Sequence, residues 1–219
     1  MYYERLIKKA AEEQALNLTL PLALGLGEAA YGASLGSMQK TNMGLFDKLK
    51  ALTPVPVKTI KDGIAPNSHF NPSTAEVGIA KAHMGKPGIL AHELGHARSI
   101  LGKNFDGKLS LLGRAGKELG MASRRLGPMS GGAALLSGIL WGDKMSDKEL
   151  AALGTAGAVP QLPMLASELK ASAHGAAMLR RLGSGRFKAL SSFIGIPTYL
   201  SGTALPFIPY LSRKLSKND

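Results

Sequence analysis

The residues best suited to catalysis are two histidines and a glutamate that lie close together in the sequence: His92, Glu93 and His96. In a helix, side chains four positions apart lie on one face, so the two histidines could bind a single metal ion. Glu93 directly follows the first histidine and could accept a proton from a water molecule beside that ion. This spacing predicts a zinc site with His92 and His96 as ligands and Glu93 as general base.

The segment around these residues predicts the helix that must position them. Pro87 lies where a helix can begin and Gly102 where a C-terminal cap belongs, with a helix of about 13 residues between them. The apolar side chains expected to bury this helix are Ile89, Leu90, Leu94 and Ile100.

The remaining metal ligands must come from a limited set of residues. The chain contains no cysteine, which excludes disulfides and thiolate ligands. It contains five histidines. Catalytic zinc usually has three protein ligands, and position 102, where some zinc proteases have a third histidine, is glycine. A carboxylate further along the chain is therefore expected, and the candidates are Glu118 and Glu168.

Charge and apolar patterning predict the surroundings of this site. The chain of 219 residues has a net charge of +12 and 5% aromatic residues. Its Lys and Arg residues are scattered rather than clustered with aromatics, which favours an anionic membrane surface over nucleic acid as partner. Four stretches carry at most one charge each and predict apolar membrane-associated helices. They are residues 14–39, 126–142, 150–166 and 189–212.

The second and third stretches predict a helical hairpin. Basic residues flank residues 126–166 on both sides, and the turn between the two halves is slightly acidic. If the hairpin spans a bilayer, this pattern places the catalytic core on the cytoplasmic side of the membrane. The last stretch contains three prolines, which predict a broken hairpin rather than one straight span. These are Pro197, Pro206 and Pro209.

Residues 40–86 predict a short β element. Four prolines in this region exclude a long helix. Residues 55–57 and 76–80 are expected to be extended, with 77–80 as an edge strand. The expected fold class is mainly α, with an α+β core and apolar helices. The expected domains are an N-terminal apolar segment, 1–39, a catalytic core, 40–188, interrupted by the hairpin 126–166, and a C-terminal segment, 189–219.

The order of these motifs resembles the membrane zincins of the HtpX and CAAX-prenyl-protease family. The resemblance covers about 90 residues, from Gly85 to Ala177, with His-Glu-Leu-Gly-His first and an Ala-rich Glu-x-x-Ala helix after the hairpin. It implies that Glu168, four residues before Ser172, is the third zinc ligand. The family has an aspartate that supports the site where this chain has Ser172, so Ser172 is expected near the metal. His174, on the same predicted helix, is a candidate for stabilising the transition state.

The resemblance also implies a function. A membrane-associated zinc endopeptidase is expected, with zinc as cofactor and with lipid and a protein or peptide substrate as partners. Two alternatives stay open on the sequence alone. One is a non-catalytic membrane or particle-assembly protein that retains the zincin scaffold, and the other is a basic nucleic-acid-associated protein.

Overall fold

The computed structural model of the protein describes residues 41–62, 68–103, 105, 111–193 and 195–216. The predicted N-terminal apolar segment, 1–39, lies outside the described residues. The described residues fall into two compact units. The site unit contains residues 41–120 and Leu165–Ile196, and the helical unit contains Met121–Met164 and residues 197–216.

The chain is mainly helical, as the sequence predicts, and the described part contains one small sheet. The strands are β1 (Val57–Ile60), β2 (His69–Asn71) and β3 (Glu76–Ala80). The helices are α1 (Met43–Ala51), α2 (Pro87–Leu101), α3 (Leu111–Trp141), α4 (Asp147–Ala158), α5 (Leu162–Arg181), α6 (Arg186–Ala189), α7 (Ile196–Ala204) and α8 (Ile208–Ser216).

The sheet has the strand order β1-β3-β2. Val57 pairs with Val77 in the parallel ladder, and Phe70 pairs with Val77 in the antiparallel one. The prediction of an extended segment at 76–80 is confirmed, but its placement at an edge is wrong. β3 is central because strands on both sides hydrogen-bond to it, and its buried residues match that position.

Helix α2 forms as the sequence predicts. Pro87 occupies its first turn, where the missing N–H costs no hydrogen bond. At its other end Gly102 has φ of +87°, a conformation that glycine adopts readily, and its N–H bonds to the carbonyl of Arg98. Leu90 and Leu94 are fully buried, whereas Ile89 and Ile100 are only partly covered.

The core of the site unit lies between the sheet, α1, α2 and the C-terminal part of α5. Its buried apolar residues come from distant parts of the chain, which fixes α2 against the sheet on one side and α5 on the other. They include Phe46, Leu49, Phe70, Val77, Ile79, Leu90, Leu94, Met178 and Leu179.

In the helical unit, α3 and α4 are joined by residues 142–146, which is where the sequence predicts the turn of the hairpin. Ser146 and Glu149 form a capping box that starts α4. The proline-rich C-terminal stretch is broken into α7 and α8, as predicted, with a 3-10 turn between them. Within the described ranges, no helix combines the length and the apolarity needed to cross a bilayer.

Candidate metal centre

Helices α2 and α5 approach each other closely enough for their backbones to touch. A Cβ atom on Gly95 would lie 2.0 Å from the carbonyl oxygen of Ala171, and one on Gly175 would lie 2.6 Å from that of Ala91. Any side chain at either glycine would force the helices apart. The close approach places the histidines of α2 opposite the glutamate of α5.

Three potential ligand atoms converge at this crossing. His92 Nε2 lies 3.1 Å from Glu168 Oε2, and His96 Nε2 lies 3.2 Å from the same oxygen. The two Nε2 atoms are 3.2 Å apart. Around a tetrahedral zinc ion with bonds of about 2.0–2.1 Å, neighbouring ligand atoms are separated by about 3.3 Å. The three atoms thus have nearly the spacing that zinc requires.

The second nitrogen of His92 indicates which tautomer the ring adopts. His92 Nδ1 lies 3.0 Å from the carbonyl oxygen of Ser192, which can only accept a hydrogen bond. The proton of the neutral ring therefore belongs on Nδ1, and the lone pair of Nε2 points toward Glu168 and His96. A bond from the far nitrogen to a carbonyl is the usual way in which proteins orient a metal-binding histidine.

Ser172 lies beside His92, one helical turn beyond Glu168. Its hydroxyl oxygen is 3.1 Å from His92 Nδ1, and the residue is completely buried. Ser192 Oγ lies 2.9 Å from the carbonyl of Ser172, so the turn that carries Ser192 is itself held against α5. The sequence predicts the place of Ser172 but gives no sign of Ser192, which acts through its backbone carbonyl.

Glu93 is the buried carboxylate next to the first histidine, with 8% of its surface exposed. The backbone N–H of Phe70, on β2, donates a hydrogen bond of 2.9 Å to its Oε2 atom. Burial raises the pKa of Glu93 above its usual value, although the charges of His92 and His96 oppose this shift. A raised pKa suits a carboxylate that must take up a proton near neutral pH.

The ligand cluster is strongly coupled electrostatically. Burial alone would raise the pKa of Glu168, but hydrogen bonds with His92 and His96 outweigh it and hold that pKa far below its usual value. Burial alone would lower the pKa of His92, but Glu168 and Glu93 raise it overall. The carboxylate thus stays charged and attracts positive charge to the ring nitrogens, whether that charge is a proton or a metal ion.

Comparisons with protein-family models, with curated proteins and with solved structures found no match to this chain. The resemblance to membrane zincins therefore remains a prediction from the motifs.

The other sequence candidates lie apart from the cluster. Among the described residues, the His, Asp and Glu side chains whose ligand atoms converge are His92, His96 and Glu168. Glu118, the rival third ligand, is exposed on α3. His174 is half-buried on α5, where burial and then the charges of Arg98 and Lys170 lower its pKa.

His83 and His69 also have other surroundings. The Nδ1 atom of His83 lies 2.9 Å from the hydroxyl of Ser68, which accepts a hydrogen bond from the N–H of Ala80. His69 is exposed on β2. Neither histidine belongs to the ligand cluster found among the described residues.

Proposed function

We propose that the chain is a zinc-dependent endopeptidase. One observation carries the proposal: His92 Nε2, His96 Nε2 and Glu168 Oε2 lie 3.1–3.2 Å from one another, with the buried Glu93 next in sequence to His92. Two imidazoles and one carboxylate form a ligand set typical of catalytic zinc, which keeps a further position for water or substrate. These three residues would hold the ion.

The chemistry divides between the ion and the chain. Zinc, when bound, supplies Lewis acidity, which lowers the pKa of water and polarises the carbonyl group of a peptide. Glu93 takes the proton from the attacking water as the new carbon–oxygen bond forms. The same carboxyl then gives that proton to the leaving amine as the carbon–nitrogen bond breaks. The hydrogen bond from the N–H of Phe70 fixes one oxygen of Glu93 during both steps.

The surrounding residues keep the ligands in place. The carbonyl of Ser192 and the hydroxyl of Ser172 hold the imidazole of His92 through Nδ1. Because Ser172 and Ser192 are themselves fully buried, both partners of the imidazole are shielded from competing water. An imidazole fixed in this way is preorganised for metal binding, which reduces the entropic cost of assembling the site.

The test separates the general base from the ligands. In Glu93→Gln we expect zinc to remain bound at about one ion per chain, because no ligand is removed. Hydrolysis of an unfolded protein such as casein should fall by about 10²–10⁴-fold, the usual contribution of general acid–base catalysis. Glu118→Gln is the matched control, since it makes the same change at an exposed glutamate and should leave both properties unchanged.

Two outcomes would contradict the proposal. Equal hydrolysis by wild type and Glu93→Gln would assign the activity to another group or to a contaminant. Stoichiometric zinc without hydrolysis of any unfolded protein offered would make the centre structural, as in a scaffold that retains the ligands without catalysis.

A further inference from the structure

Helix α3 exposes a continuous row of apolar side chains within the helical unit. The row repeats at alternating steps of three and four residues, so its members lie on one face of the helix. Four of its members are large apolar side chains, and the most exposed of these, Met129 and Leu140, are 71% and 64% exposed. We call this row the apolar face: Ala122, Leu126, Met129, Ala133, Leu136 and Leu140.

The opposite side of α3 packs against the helical unit through small residues. A Cβ atom on Gly131 would lie 2.6 Å from the side-chain nitrogen of Gln161, and one on Gly138 would lie 2.5 Å from Pro209. Gly127 and Ala134 are buried on the same side. The helix therefore has one side that packs against the helical unit and a second side whose large apolar residues are 58–71% exposed.

The apolar face lacks the charges that a water-exposed helix normally carries. Residues 126–142 contain no Asp, Glu, Lys or Arg at any position around the helix. A helix that pairs with a second copy in water usually has charged residues beside its apolar row. Here the flanking positions are Ser130, Gly132, Ser137 and Ile139. This composition suits a lipid environment better than a water-exposed helix pair.

The C-terminal end of the apolar face has the features of a membrane–water boundary. Trp141, the only tryptophan of the chain, follows Leu140 directly and is 52% exposed. Lys144 and Lys148 are exposed just beyond it. Tryptophan is enriched at the level of lipid headgroups, and lysines there attract anionic lipids. The net charge of +12 has the sign that such a surface requires.

We propose that the apolar face of α3 lies on the surface of a bilayer that contains anionic lipid. The helix would lie along the membrane plane, with Leu136 and Leu140 in the outer acyl region and Trp141 at the headgroups. The small residues of its other side keep it attached to the helical unit. Binding of a bilayer through this face requires neither zinc nor peptide hydrolysis.

Trp141 is a built-in probe for this contact. The full-length protein is mixed with vesicles of phosphatidylcholine and phosphatidylglycerol, and with vesicles of phosphatidylcholine alone. We expect a blue shift of tryptophan emission with the anionic vesicles and quenching by lipids brominated on the acyl chain. Both effects should be weaker with phosphatidylcholine alone, because the electrostatic attraction is then missing.

A pair of double variants identifies the face that binds. Leu136→Gln with Leu140→Gln removes two apolar contacts without changing the charge or the helix propensity appreciably. It should lower the vesicle partition coefficient by about tenfold or more. Met43→Gln with Leu52→Gln is the matched control, because both residues are 46% exposed on or next to α1 in the site unit. Circular dichroism checks that all variants are folded.

Each other result overturns the proposal. If vesicles bound without a blue shift of the Trp141 emission, the contact would lie elsewhere on the chain. The same would follow if the Leu136/Leu140 variant bound vesicles as strongly as the wild type. The absence of vesicle binding would also overturn it. If a stable dimer formed in lipid-free solution and only the Leu136/Leu140 variant abolished it, a second copy would be the partner of this face.

Discussion

The site unit and the helical unit both bury polar side chains, but they satisfy them in different ways. In the helical unit, Gln161 is 3% exposed and its amide nitrogen donates to the backbone carbonyls of Gly157 and Gly202. In the site unit, the ionisable groups of His96 and Glu168 contact each other and His92. A buried amide bonded to backbone has a structural role, whereas buried ionisable groups that converge are typical of a binding site.

Removing one buried polar side chain from each unit tests this contrast most strongly. Glu168→Ala should weaken zinc binding by more than about a hundredfold. That factor is the largest loss usually seen when a residue that only supports a ligand is removed. Gln161→Ala should leave zinc affinity unchanged but lower the free energy of unfolding by about 1–3 kcal/mol, because it removes the two hydrogen bonds that the buried amide donates. Isothermal titration with zinc and urea denaturation measure the two quantities. Unchanged zinc affinity in Glu168→Ala would remove the contrast.

A second pair of variants compares two glycines. Gly95→Ala places a methyl group 2.0 Å from the backbone of Ala171, so α2 and α5 must separate. We expect a loss of about 1–3 kcal/mol in unfolding free energy, together with weaker zinc binding. Gly132→Ala, where the added methyl group meets no atom within 4 Å, should instead stabilise the protein by about 0.5–1 kcal/mol. Thermal unfolding of both variants, with and without zinc, checks this prediction.

Ser172→Ala should have a smaller effect, confined to the site unit. It removes the hydroxyl beside His92 Nδ1, but the carbonyl of Ser192 still accepts a hydrogen bond from that nitrogen. Zinc affinity should fall by about tenfold, which is the smallest loss usually seen when a group that supports a metal ligand is removed. Competition with a chromogenic chelator measures the change. A loss as large as that of Glu168→Ala would mean that Ser172, rather than Ser192, positions the ring.

The smallest expected effect is the pH dependence of stability without metal. His92 faces Glu93, His96 and Glu168. Its pKa is raised above 6.5 in the folded protein. Its contribution to folding is complete below pH 6.5 and is lost as the pH rises through the folded pKa. The raised pKa of Glu93 acts in the same direction, because its contribution to the stability of the folded protein is lost as the pH rises above 4.5.

The depressed pKa of Glu168 has the opposite effect, because its contribution is present above pH 4.5 and is lost as the pH falls below that value. Metal-free protein should therefore be most stable between pH 4.5 and 6.5. The rise in melting temperature on adding zinc should grow from about pH 6 to about pH 8, since zinc replaces the protons lost there. A zinc effect that decreases over this range would contradict the assignment.

The sequence predicts the histidine face and its helix well, because helical periodicity and end signals are local properties. The positions of His92, His96, Pro87 and Gly102 are sufficient for that prediction. The prediction of Glu168 as third ligand rests on the family resemblance, and its carboxylate lies beside both rings.

What the sequence does not reveal are the contacts made by backbone atoms. The N–H of Phe70 and the carbonyl of Ser192 contact site residues, yet any residue type supplies such groups. The small residues Ala171 and Ala173 of the Ala-rich helix do not by themselves locate the close approach of the helices, because Ala173 is exposed and the contact depends on Gly95 and Gly175. Which glycines face a neighbouring helix depends on the tertiary packing.

Metal analysis of the purified protein tests the central claim most directly. Elemental analysis by plasma mass spectrometry should find about one zinc per wild-type chain and almost none in the His92→Ala, His96→Ala double variant. The variant His69→Ala, His83→Ala removes two histidines outside the cluster and should retain the metal. Equal zinc content in the wild type and in the His92→Ala, His96→Ala variant would contradict the account.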